Sequence, residues 1–220
     1  MSSKRLSQSA FLVMLVLSVT AFWGRPVLAE EPTTDTPAES NVAPKIKDPN
    51  SLVFADFDTG DKPNNIGGDF GGWDKDPNDE TQGTKMSFEP NDALGDPAGY
   101  CIRLDYDVDS PNPAYNGFWM KLNGEDVSQY NTLKFYLKGD AKAGYTKRIK
   151  LELKDMSNKP SPYILSGITD EWKQYSIPLE KFRRITDWKS MNEFVMVFDD
   201  ISSNPKTGTV YVDQITFAKD

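Results

Sequence analysis

A chain of 220 residues with 33 acidic and 25 basic residues carries a net charge of −8, which disfavours nucleic acid and anionic membrane surfaces as partners. The chain contains no histidine, so it has no Ser-His-Asp or Cys-His nucleophile system and no HExxH zinc site. Its only cysteine, Cys101, cannot form an intramolecular disulfide, so we expect a buried thiol and a fold held by its core or by a metal.

The N-terminus has the pattern of a secretory signal peptide. Lys4 and Arg5 precede an apolar run over residues 10–23, and the segment closes on the small residue Ala29. A retained membrane anchor needs roughly 20 apolar residues, and this run is shorter. We therefore expect residues 1–29 to be removed after Ala29, giving a secreted or periplasmic protein that is not inserted in the membrane and carries 22 basic and 33 acidic residues.

The next segment, residues 30–50, contains four prolines, several acids and no aromatic side chain. Such a composition cannot build a core, so it predicts a disordered linker. Beyond it the chain consists of short apolar segments separated by Gly, Pro, Asn and Asp. Residues 51–220 are therefore predicted to form one domain.

The apolar segments of this domain alternate with a period of two, which is typical of β-strands with one buried face. The predicted strands cover residues 52–57, 85–89, 101–106, 118–122, 133–138, 149–154, 174–177, 193–198 and 209–217. Nine or so strands with almost no helical pattern indicate two packed antiparallel sheets. The predicted fold class is an all-β sandwich of the jelly-roll type.

The order of several motifs resembles a known family. LVFADFDTG opens the domain, YNGFWMKLNGEDVSQYNTLKFYLKGD and ITDEWKQYSIPLEKF follow, and TGTVYVDQITF closes it. Together they resemble the galactose-binding-like jelly-roll carbohydrate-binding modules and are similar to family-11 modules over residues 51–219. The resemblance implies a non-catalytic protein that holds a polysaccharide or oligosaccharide, and we expect it to be a monomer. The alternative is an extracytoplasmic module that uses the same face to bind or assemble a protein partner.

Aromatic side chains on the solvated face are the candidates for sugar binding, because sugar rings present flat C–H faces. Trp119 points away from the core by alternation with Phe118 and Met120. Matching by position to family-11-like modules adds Trp73 in a Gly-rich loop, Tyr115 in a Pro-rich turn, Arg184, Trp188 and Asp199. For each tryptophan the alternative is a role in the core, and we assign Trp172 to that role.

The resemblance also implies a structural calcium ion between the first strand, the following loop and the last strand. The side chains at those positions are Asp56, Asp58 and Asp213, and carboxylate oxygens are suitable ligands for calcium. Asp213 shares a strand face with Ile215 and Phe217, which would turn its carboxylate inward at a cost of several kcal/mol unless it is paired. The alternative is that Asp213 binds backbone amides or Lys62.

Overall fold

The computed structural model describes residues 48–94 and 99–220, so the predicted signal peptide and most of the predicted linker lie outside the described residues. In these residues the chain forms eleven strands and a 3-10 helix at Leu179–Lys181. The strands are β1 (Ser51–Ala55), β2 (Phe70–Asp74), β3 (Gly83–Glu89), β4 (Cys101–Asp107), β5 (Tyr115–Glu125), β6 (Thr132–Gly139), β7 (Arg148–Asp155), β8 (Ser161–Ser166), β9 (Lys173–Pro178), β10 (Met191–Asp199) and β11 (Thr207–Ala218). No helix within this part of the chain is both long and apolar enough to cross a lipid bilayer.

The strands form two antiparallel sheets that pack face to face. One sheet has six strands, with the order β3-β4-β11-β6-β9 and with β1 also paired to β11. The other has five strands in the order β2-β5-β10-β7-β8. The all-β, two-sheet sandwich expected from the sequence is therefore confirmed.

Aromatic residues from both sheets meet in the core. The ring of Phe54 on β1 stacks on Phe217 of β11 at 4.9 Å, and it meets Phe194 of the five-stranded sheet edge-on at 6.2 Å. Phe70 and Phe88 make a similar contact between the sheets at 6.0 Å. Burying a ring fully, as at Phe54 or Phe217, stabilises the fold by about 2 kcal/mol, so the alternating apolar residues provide the attraction between the two sheets.

Two strands, β2 and β8, were not predicted. Their sequences, FGGWD and SPYILS, contain the glycines and the proline that usually argue against a strand. Both lie at the edges of the five-stranded sheet, where one side of the backbone needs no ladder partner. The prediction that Trp73 lies in a loop was therefore wrong, because Trp73 is part of edge strand β2.

The last strand changes face at a β-bulge. Val210 and Val212 point into the core before the bulge, and Ile215 and Phe217 do so after it. The change occurs at Gln214, which has a φ of 48°, and the pairing with β6 shifts register there. Alternation predicted that Asp213 shares a face of the strand with Ile215 and Phe217, but the bulge prevents this. The side chain of Asp213 lies on the opposite face of the sheet from Val212.

Candidate functional site

The outer face of the five-stranded sheet brings together residues that are distant in sequence. In one row across the sheet, Trp119 of β5 lies beside Val195 of β10, which lies beside Glu152 of β7. The adjacent row contains Lys121, Glu193 and Lys154 on the same three strands. Successive residues on each strand alternate between faces, so both rows project away from the core.

Two tryptophans occupy one side of this face. Trp73 on β2 is paired with Gly117 of β5, and Trp119 on β5 is paired with Gly71 of β2. Each indole thus has a glycine as its direct cross-strand neighbour, so no side chain from that neighbour covers it. An added Cβ at Gly71 would lie 3.6 Å from Nε1 of Trp119, an ordinary van der Waals distance, so this indole lies beside the glycine backbone.

Tyr115 extends the aromatic side at the start of β5. Its ring meets that of Trp73 at 5.9 Å with an angle of 61° between the planes, and 44% of its surface is exposed. Lys75 lies over the tyrosine ring at 5.3 Å. The three aromatic residues Trp73, Tyr115 and Trp119 are therefore on one connected surface, as a shared ligand would require.

An ionic row lies beside the tryptophans, formed by Lys121, Glu193 and Lys154. The Lys121 Nζ is 2.7 Å from Oε1 of Glu193, and the Lys154 Nζ is 2.6 Å from Oε2. Burial acts to raise the pKa of Glu193, but hydrogen bonds from Lys121 and Lys154 outweigh it and hold the pKa below its usual range. Glu193 therefore remains ionised at neutral pH and fixes the positions of both ammonium groups.

Together these side chains surround a groove of about 430 Å³. Its lining consists of Trp73, Trp119, Lys121, Glu152, Lys154, Glu193 and Val195. Val195 is only 3% exposed although it belongs to the outer face, because the longer side chains around it in the groove cover it. One side of the groove is therefore aromatic and the other is charged.

Asp199 lies on the same face but has a structural role in the turn that follows β10. It is paired with Tyr115 at the end of the strand. Its Oδ1 accepts hydrogen bonds from the backbone N–H groups of Ile201 and Ser202, and its Oδ2 accepts one from the Ser202 hydroxyl. These bonds use the carboxylate to shape the rim near Tyr115, and Asp199 does not line the groove.

The structure places Trp188 and Arg184 away from the groove. Trp188 packs against the core and lines a separate depression of about 570 Å³ with Tyr130 and Leu179. Arg184 is exposed in the connection before β10, and its backbone N–H donates to Ser161 at the start of β8. The fold thus does not assemble all six sequence candidates into a single site.

The predicted calcium residues lie near one another, because the charges of Asp58 and Asp56 act on Asp213. Asp213 is fully buried, and its Oδ2 and Oδ1 accept hydrogen bonds from the backbone of Leu94 and Gln214. Burial, and then the charges of Asp58 and Asp56, raise the pKa of Asp213 to about 6. Across residues 48–94 and 99–220, no three His, Cys, Asp or Glu side chains are arranged to hold a metal.

Sequence reasoning found the aromatic side of the groove but not its charged side. The alternation of β5, β7 and β10 does indicate that Lys121, Lys154 and Glu193 are outward. The pairing of β10 with both β5 and β7 is what makes them neighbours. That pairing is a long-range property of the fold, and no local pattern in the sequence reveals it.

The two-sheet sandwich has the jelly-roll fold of carbohydrate-binding modules. The model of the family described as carbohydrate binding domain 30 matches residues 64–219. The chain belongs to this family, and the family resemblance inferred from its motifs is confirmed. No curated protein matches the sequence.

Solved structures with the same fold include family-11 modules from Clostridium thermocellum. The module of a cellulosomal cellulase has a TM-score of 0.56 and 15% identity, with 77% of this chain and 95% of that chain covered. A family-11 module in complex with a β-1,3-1,4-mixed-linked tetrasaccharide has a TM-score of 0.53 and 17% identity, covering 77% and 96%. An exo-β-agarase matches with a TM-score of 0.55 and 11% identity over 78% of this chain and 25% of its own. At these identities the similarity concerns the fold.

Proposed function

We propose that this protein is an exported, non-catalytic glycan-binding protein that holds a polysaccharide or oligosaccharide in the groove beside Trp73 and Trp119. The observation that carries the proposal is the placement of both indoles on the outer face of the sheet, each beside a glycine. A sugar ring can stack its C–H face on an indole while polar groups beside it bind the hydroxyls. The ionic row, one residue further along the strands, supplies such groups.

The groove suits binding better than catalysis. Glycosidases use two carboxyl groups, one of which has a raised pKa and acts as the acid. Of the two carboxylates in the groove, Glu193 has a lowered pKa and is held by two lysines, and Glu152 is paired with Lys150 at 3.4 Å. Neither is arranged as a proton donor, which supports a role in holding the glycan.

The test is glycan binding by the wild-type protein and by Trp119→Ala. By analogy with aromatic stacking on nucleic-acid bases, truncation should weaken binding by about 1–3 kcal/mol, which is roughly tenfold or more. The melting temperature should change little, because Trp119 is not part of the core. A glycan array gives the ligand, and isothermal titration gives the affinities.

Trp172→Ala is the matched control. Trp172 lies outside the groove and donates its indole N–H to the backbone of Asp92. Trp172→Ala should leave the glycan affinity unchanged even if it lowers the melting temperature. The proposed function is wrong if Trp119→Ala binds glycans as well as the wild type, or if the array shows no bound glycan. The alternative is then that the same face binds a protein partner.

A further inference from the structure

The ionic row has more N–H donors than its single carboxylate has acceptor positions. A lysine ammonium group carries three N–H donors and no acceptor. Lys121 and Lys154 each direct one N–H to a different oxygen of Glu193, and their other N–H groups find no acceptor among the described residues. The buried indole N–H of Trp73 also lacks an acceptor in this part of the chain.

The ionic row also differs in charge from the rest of the protein. Two ammonium groups share one carboxylate, so the row carries a net positive charge within a chain of net charge −8. At physiological ionic strength, charges more than about 8 Å away are largely screened. A ligand in the groove therefore interacts mainly with the ionic row and with Glu152, whose charge is offset by Lys150 at 3.4 Å, and much less with the acidic remainder of the surface.

A carboxylate group on the ligand would match this arrangement. Carboxylates accept hydrogen bonds and donate none when ionised, and hydrogen bonds between ammonium and carboxylate groups are about twice as strong as neutral ones. Resting on the proposed function, we infer that the groove selects acidic glycans that contain uronic acid residues. One sugar ring stacks on Trp119, and the carboxylate of the same ring or the next accepts hydrogen bonds from Lys121 and Lys154.

The position of Lys121 connects the two sides of the groove. Its Nζ lies 5.7 Å from the centre of the Trp119 ring and 2.7 Å from Glu193. The ammonium group is therefore within reach of a substituent on a sugar that stacks on this indole. Lys154 is on the far side of Glu193, so a carboxylate above Glu193 can approach both lysines.

The experiment compares pairs of oligosaccharides that differ only in oxidation at C6. The probes are hexamers of β-1,4-glucose and β-1,4-glucuronate, and of β-1,4-mannose and β-1,4-mannuronate. In at least one pair the acidic hexamer should bind about tenfold more tightly at 20 mM NaCl. Its Kd should rise steeply by 300 mM NaCl, whereas the Kd of a neutral hexamer should hardly change.

Two substitutions test the residues. Lys154→Met should weaken binding of the acidic hexamer about tenfold, and Lys134→Met, on the other sheet, should not. Glu193→Gln removes the competing carboxylate, so it should strengthen binding of the acidic hexamer severalfold. If Glu193 instead accepts hydroxyl groups of a neutral glycan, this variant weakens binding of the neutral hexamer, and the inference is overturned.

The outcomes separate this inference from the proposed function. Equal or tighter binding of the neutral member in every pair would overturn the selection of acidic glycans and leave glycan binding standing. No binding of any hexamer, together with an empty glycan array, would overturn both. Tight binding of the acidic hexamers that is unaffected by Lys154→Met would show that the carboxylate is bound elsewhere.

Discussion

Asp213 is the one fully buried carboxylate of the predicted calcium site. Its folded-state pKa of about 6 lies above the ordinary value, because burial and the charges of Asp58 and Asp56 disfavour the ionised form. Without a cation, the neutral carboxyl group contributes stability below the unfolded pKa of about 4, and this contribution is lost as the pH rises through about 6. A cation beside Asp213 would offset the loss.

We propose on this basis that calcium binds near Asp56, Asp58 and Asp213, and we expect it to raise the melting temperature at pH 7.5. A calcium concentration of about a hundred times Kd would increase the free energy of unfolding by about 3 kcal/mol. The increase should fade below about pH 6, because a protonated Asp213 cannot act as a ligand. Thermal melts with calcium and with excess chelator measure the effect.

Asp213→Asn should abolish the calcium-dependent increase, and Asp170→Asn, an exposed aspartate elsewhere, should preserve it. If the melting curves with calcium and chelator coincide at pH 7.5, the site does not bind calcium. In that case the Asp213 carboxylate is held by the backbone hydrogen bonds from Leu94 and Gln214. The alternative based on backbone amides would then hold.

At the scale of elements, the neighbouring glycines of β2 have different structural roles. An added Cβ at Gly72 would lie 2.5 Å from the carbonyl oxygen of Thr84, so the backbone would have to move. An added Cβ at Gly71 would make an ordinary contact of 3.6 Å with Trp119. The edge strand therefore requires a glycine only where it approaches β3.

We expect Gly72→Ala to destabilise the fold by about 1–3 kcal/mol, the usual cost of forcing atoms into a packed region. Gly71→Ala is its control and should change stability by less than about 1 kcal/mol. Urea unfolding of both variants measures the difference. Equal stabilities would mean that β2 does not pack against β3 as the structure shows.

The position of a strand in its sheet explains whether the sequence pattern predicted it. Regular alternation located the central strands such as β6 and β7, whose buried residues recur at every second position. It failed at β2 and β8, where edge positions permit glycine and proline, and at the bulge in β11. It identified Trp119 as outward, but the groove depends on which strands pair, and strand pairing is decided by the packing of the whole sandwich.

At the scale of the whole molecule, the two sheets and the groove are within residues 48–220, and the predicted signal peptide precedes them. A glycan outside the cytoplasm can be reached only if the chain is exported. We propose that the mature protein begins at Glu30 and is a secreted or periplasmic monomer. Intact mass and light scattering of the protein recovered outside the cytoplasm measure both properties.

Ala29 provides the variant that tests export, because signal peptidase requires a small residue before the cleaved bond. Ala29→Arg should leave the uncleaved precursor with the cells, whereas Ala29→Ser should be processed normally. A mature mass that still includes residues 1–29 would contradict the signal peptide. A mass from light scattering that is twice the mass of the chain would mean that a second copy is bound. Glycan binding by Trp119→Ala should then be measured on the dimer.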